Sequence, residues 1–144
     1  MVERLQFTLR AWDRSGDSNI AARLLDGVRI AAGDPASLED GPGVPRVRLL
    51  SVSGEDFAHV DTTDDAGAQS EAFAAAIREG LIRVAEWLNR QPADLFENLR
   101  AAGCVTDIFV GGWMTDDQFD LDLPPEFLRA CGGRGLTVTI CTNE

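Results

Sequence analysis

The chain has no lysine, no tyrosine, a single histidine and three cysteines in its 144 residues, and each shortage excludes something. Without lysine there is no GxxxxGK[ST] phosphate loop. GxGxxG after a strand, GxSxG, HExxH and HxE with CxxC are missing as well. His59 has no second histidine to share a metal with, and Cys104, Cys131 and Cys141 form no CxxC or Cys/His spacing. An odd set of cysteines, two of them in apolar strand patterns, reads as free thiols in a reducing compartment rather than as a disulfide framework. No apolar run approaches the roughly 18 residues that span a bilayer, and the start, Met1 to Phe7, lacks a basic segment followed by an apolar one. The expectation is a cytoplasmic protein with no catalytic residue, cofactor or metal that a motif can name.

Positive charge is also scarce. Thirteen basic residues, all arginine, face 24 acids, for a net charge of −11 and a pI near 4.4. Such a surface repels phosphate backbones and anionic lipid, so no nucleic acid and no membrane is expected as a partner. It would attract a basic protein or a cation. Acidic charge also simply keeps a protein soluble.

What is present is enough for one domain over residues 1–144: 15.6 kDa with 44 % hydrophobic residues. Leu5, Phe7, Leu9 and Ala11 alternate with Arg4, Gln6, Thr8 and Arg10, which predicts a strand over Glu3–Trp12 with one wet face. Trp12 falls on the polar side and reads as the cover of a sheet edge. A turn cluster leads to a short helix through Ile20, Leu24 and Val28 that ends near Asp26-Gly27. Glycines and prolines from Ala31 to Pro45 predict a loop, and Arg46–Ser53 a second strand buried on both faces at its end. An acidic connection follows to Gly67, of which Phe57–Val60 could continue as strand.

The longest element is predicted over Ser70–Arg90, where Phe73, Ile77, Leu81, Val84 and Leu88 mark one helical face. Glu79/Arg83 and Glu86/Arg90 stand at i,i+4 on the other side. The flank Ala72, Ala75, Ala76 and Gly80 lets this helix lie close to a sheet. Pro92 opens another helix at its first position, with Leu95, Phe96, Leu99 and Ala102 inward and Gly103 as its stop. Cys104–Val110 is a strand that Gly111-Gly112 ends or bulges. Phe119–Leu123 is extended, Glu126–Cys131 helical, and Leu136–Cys141 a last alternating strand. The sum is a single-domain α+β fold, a four- to five-stranded antiparallel or mixed sheet with helices packed on one face.

Two acidic clusters carry the remaining chemistry: Glu55, Asp56, Asp61, Asp64 and Asp65, then Asp116, Asp117, Asp120 and Asp122. Both lack the EF-hand spacing and its glycine. Asp120 and Asp122 share one face of an extended segment while Leu121 and Leu123 take the other. Trp113, just before them, reads either as a hot spot for an Arg- or Lys-bearing partner or as a cap on the core's edge. Trp113, Asp116, Asp117, Asp120 and Asp122 are the residues left without a packing duty, and they form the candidate partner-binding set.

The residues Leu121, Leu123, Pro124, Phe127, Leu128 and Leu136-Val138-Ile140, with the long helix before them, resemble an uncharacterised bacterial family known only as domain of unknown function 4279. The resemblance covers about the last half of the chain. The Gly-x-x-Pro after the first helix and the tryptophan in the second strand are absent. It implies an α+β fold and an association with immunity proteins of toxin systems, and it transfers no catalytic residue. The function expected is a non-enzymatic acidic interaction protein that binds a basic protein. The alternative is a small-ligand- or divalent-metal-binding domain or enzyme that uses the acidic loop.

Overall fold

The computed structural model describes residues 2–15, 22–39, 46–57, 67–114 and 120–142. Its centre is β1 (Val2–Asp13), which pairs antiparallel with β3 (Arg46–Ser53) on one side and with β4 (Cys104–Met114) on the other. A short β2 (Ser37–Glu39) extends the sheet beyond β3, and β5 (Thr137–Thr142) extends it beyond β4. The order β2-β3-β1-β4-β5 is antiparallel except for the parallel pair β4/β5. A parallel neighbour needs a crossover, and helix α4 (Pro125–Gly133) provides it. The fold is the mixed α+β sheet expected.

One face of this sheet is the core. Leu5, Phe7, Leu9 and Ala11 of β1 are all buried, and the register sets them beside Gly112, Val110, Ile108 and Thr106 of β4. The long helix α2 (Gly67–Arg90) lays Phe73, Ile77, Leu81, Val84 and Leu88 on them. Trp87 is also fully buried, where its Nε1–H donates to the Arg29 carbonyl at 3.0 Å. Gln91, itself buried, closes the same junction: its Oε1 accepts the Arg29 N–H at 2.6 Å and its Nε2 donates to the Arg29 carbonyl at 3.1 Å. That clasp fixes the segment leaving α1 (Arg23–Gly27) against the end of α2. Helix α3 (Leu95–Ala101) packs against β4 and α1.

Several expectations change. The predicted loop 31–45 contains β2, and Asp34 within it pairs with Arg90 at 2.7 Å. Arg83 donates to the Gly33 carbonyl. Both arginines therefore reach across to this segment. Pro92 does not start α3, which begins at Leu95, and Ala102 is exposed rather than inward. Gly103 ends that helix as read, at φ +93°. Gly54–Phe57 is a 3₁₀ turn, while residues 58–60 lie outside the described residues. Trp12 covers no sheet edge, because β1 is the middle strand.

The most informative change is in β3. Val47, Leu49, Leu50 and Val52 change parity at Leu49/Leu50, which suggested burial on both faces. Instead the register jumps from Phe7↔Leu50 to Thr8↔Arg48, so Leu49 is the extra residue of a β-bulge. The bulge keeps Val47, Leu50 and Val52 all on the core face.

Candidate functional site

The other face of the sheet is covered by no helix among the described residues. β1 contributes Arg4, Gln6, Thr8, Arg10 and Trp12, which the register sets against Trp113, Gly111, Phe109, Asp107 and Val105 of β4. β3 adds Arg46 and Arg48, and β2 adds Glu39 opposite Arg46. Four of thirteen arginines thus gather on one sheet face, with Trp12, Phe109 and Trp113 among them.

The middle of this face is a built cluster. Arg10 grips Asp107 with both arms of its guanidinium, Nε to Oδ1 at 2.9 Å and Nη2 to Oδ2 at 2.7 Å. The fork matches the carboxylate, which makes this the stronger, bidentate kind of ion pair. The guanidinium carbon also lies 4.1 Å from the centre of the Phe109 ring and 5.1 Å from that of Trp12. Asp107 is only 2 % exposed, so the pair is nearly neutral where it stands, with the guanidinium lying against both rings. Toward the β2 edge, Glu39 binds Arg46 at 2.7 Å and also binds Arg48. Those arginines are almost half exposed, so solvent leaves each bond worth about 1 kcal/mol or less. Trp113, 50 % exposed beside Arg4, does not cap the core.

The five candidate residues do not form one patch. Trp113 is on the open sheet face. Asp120 and Asp122 are exposed on the helical side, around a hollow of about 20 Å³ shared with Ala74, Ile77 and Arg78. Leu121 and Leu123 pack on the core behind them, as the alternation suggested. Asp116 and Asp117 lie outside the described residues, as do Asp61, Asp64, Asp65 and His59. Glu55 and Asp56 sit on the 3₁₀ turn, where Asp56 accepts the Ser53 N–H at 3.4 Å. Among the described residues no group of three or more His, Cys, Asp or Glu side chains could hold a metal ion.

Cys104 and Cys131 are free and buried. Burial pushes the Cys131 thiol up to about 12, against the pull of Arg134, and raises Cys104 as well. At neutral pH both are protonated and poor nucleophiles. Sequence reasoning missed two features. One is the Arg10–Asp107 clasp, whose only trace is an aspartate amid the strand residues of β4. The other is a groove of about 330 Å³ between α1 and α3, lined by Arg23, Asp94, Asn98, Leu95 and Leu99 among others. It is at the small end of ligand-sized pockets. Gly27 also lines it, and a Cβ there would come 2.4 Å from Leu95 Cδ1 unless that side chain turned aside.

No protein-family model, no curated protein and no solved structure matches the chain. Among the described residues no helix is long and apolar enough to cross a membrane.

Proposed function

We propose that this chain is a non-enzymatic interaction protein, and that its basic partner docks on the acidic surface that carries Asp120 and Asp122. The observation that supports this most directly is the segregation of charge. Four arginines stand with three aromatic rings on the open sheet face, so the rest of a chain with net charge −11 is left more acidic still. A basic protein fits that surface, its arginines or lysines facing the exposed Asp120 and Asp122, while Trp113, 50 % exposed on the sheet face, is a separate aromatic contact of the kind found in hot spots. An immunity protein that neutralises a basic toxin is the sharpest version, in line with the resemblance of the C-terminal half to domain of unknown function 4279.

The alternative, a small-ligand or divalent-metal site in the acidic segment, has less support. Arg78 shares the hollow with Asp120 and Asp122, and its guanidinium repels a cation there.

Affinity capture from the protein's own cells tests the proposal, with the wild type beside a Trp113→Ala/Asp120→Asn/Asp122→Asn variant. A basic partner should be retained at low salt, released at high salt and lost with the variant, while Glu97→Gln on α3 keeps it. Capture that the variant leaves unchanged would sink the proposal. Calorimetric binding of Mg²⁺, Ca²⁺, Mn²⁺ or Zn²⁺ would favour the alternative.

A further inference from the structure

We propose that the groove between α1 and α3 binds a short apolar peptide with free ends, a tripeptide whose first and third side chains lie on Leu95 and Leu99. This goes beyond the proposed function and does not depend on it.

The two helices that wall the groove run in opposite directions. Gly27, at the end of α1, stands against Leu95, at the start of α3. Arg23, at the start of α1, belongs to the other end, near Cys104 just beyond α3. Burial and then Asp13 raise the Cys104 thiol, while Arg23 pulls it down. The groove therefore has a guanidinium toward the end of α3 and, at Asp94, a carboxylate toward its start. The Asp94 side chain caps no backbone N–H of the helix. Among the described residues neither it nor the Arg23 side chain makes a hydrogen bond or an ion pair.

Between the two charges the wall is apolar at Leu95 and Leu99 and polar at Asn98. The leucines are one helical turn apart, about 6 Å along the axis. Alternate side chains of an extended peptide point the same way at nearly that spacing, about 7 Å. Three extended residues span about 10 Å, and the helix rises by roughly 12 Å from Asp94 to Ala102. The peptide's ammonium then meets Asp94. Its carboxylate meets Arg23, whose fork fits two oxygens at once. Asn98, one turn on from Asp94, has an amide that can both donate to and accept from the peptide groups between. The volume of about 330 Å³ suits a ligand of this size.

Other ligand classes match only part of the groove. A lone anion or cation would answer one end and leave the other charge without a counterpart. An acyl chain would meet the leucines and put Asn98 and Asp94 against hydrocarbon, which costs polar groups their water.

Titration calorimetry with Leu-Ala-Leu should show binding at a single site. Acetylating the peptide's amine, or amidating its carboxylate, should each weaken it about tenfold, as the loss of one charge-assisted contact does. Asp94→Asn should weaken the free peptide as much and leave the affinity of the acetylated one unchanged. Arg23→Gln should do the same with the amidated peptide. Both substitutions are at exposed positions, so circular dichroism and melting should stay native. Ser-Ala-Ser, with the same ends and no apolar side chains, should not bind. Absence of Leu-Ala-Leu binding at millimolar peptide overturns the proposal. So does binding that both caps and both variants leave unchanged.

Discussion

Asp107 is a carboxylate with 2 % of its side chain exposed, and Arg10 is what makes that tolerable. Arg10→Ala would leave the charge buried without a partner, which typically costs 3–5 kcal/mol. Because the Arg10 side chain keeps 27 % exposure, water reaches the site and the lower end applies. The expected loss is about 3 kcal/mol, seen as a fall of roughly 6–12 °C in Tm. Arg10→Met combined with Asp107→Leu should recover most of it, since replacing both partners removes the orphaned charge. If the double variant melts no higher than Arg10→Ala, the cost lay in the packing on Phe109 and Trp12 instead. Thr106 presents the reverse case on the core face. It is 3 % exposed, and among the described residues its Oγ1 finds no hydrogen-bond partner. Thr106→Val keeps the shape and removes the unsatisfied hydroxyl, so urea denaturation should show a gain of about 1 kcal/mol. A loss would mean that the hydroxyl finds water in solution.

At the level of elements, the meeting of α2 with the β3 bulge decides how closely the two layers approach. A Cβ on Gly80 would stand 2.6 Å from Leu50 Cδ1 and 2.9 Å from Cδ2. Glycine is unfavourable within a helix by about 1 kcal/mol relative to alanine, so close approach is what it contributes. Gly80→Ala should therefore destabilise by about 1 kcal/mol in the wild type, the overpacking exceeding the helical gain. In a Leu50→Ala background the same change should stabilise by about 1 kcal/mol. Simple additivity in that cycle would show that Leu50 rotates aside at no cost. The elements were legible in the sequence wherever burial is one-sided. The alternation of β1, the five-residue stripe of α2 and the Gly103 stop each follow from local pattern. The β3 bulge was visible only as a parity change at Leu49/Leu50, since the sequence does not show whether such a change means a bulge or two buried faces. Pro92 misplaced the start of α3 because a proline permits a helix to begin without requiring it.

At the level of the molecule, strand order and register are set by contacts between distant segments, which no local pattern encodes. This is why the Arg10–Asp107 clasp, 97 positions apart, and the separation of Trp113 from Asp120 and Asp122 emerged only with the fold. Composition did show the charge imbalance, and it has a consequence of its own. A chain at −11 repels itself in the compact state, while the partly buried Arg10–Asp107 pair is less open to screening ions. Raising NaCl from about 0.01 M to 0.1 M shortens the Debye length from about 30 Å to about 10 Å, which screens the repulsion more than the clasp. Tm should rise with salt, by roughly 2–4 °C for a gain on the order of 1 kcal/mol. KCl should act like NaCl, because the effect depends on ionic strength alone. MgCl₂ at equal ionic strength should also match if the acidic segment takes no divalent ion. An excess shift with Mg²⁺ would mark preferential binding to the folded state and would count against the basic-partner reading. A Tm that falls with NaCl would mean that attraction between the arginine face and the acids around it outweighs the net repulsion.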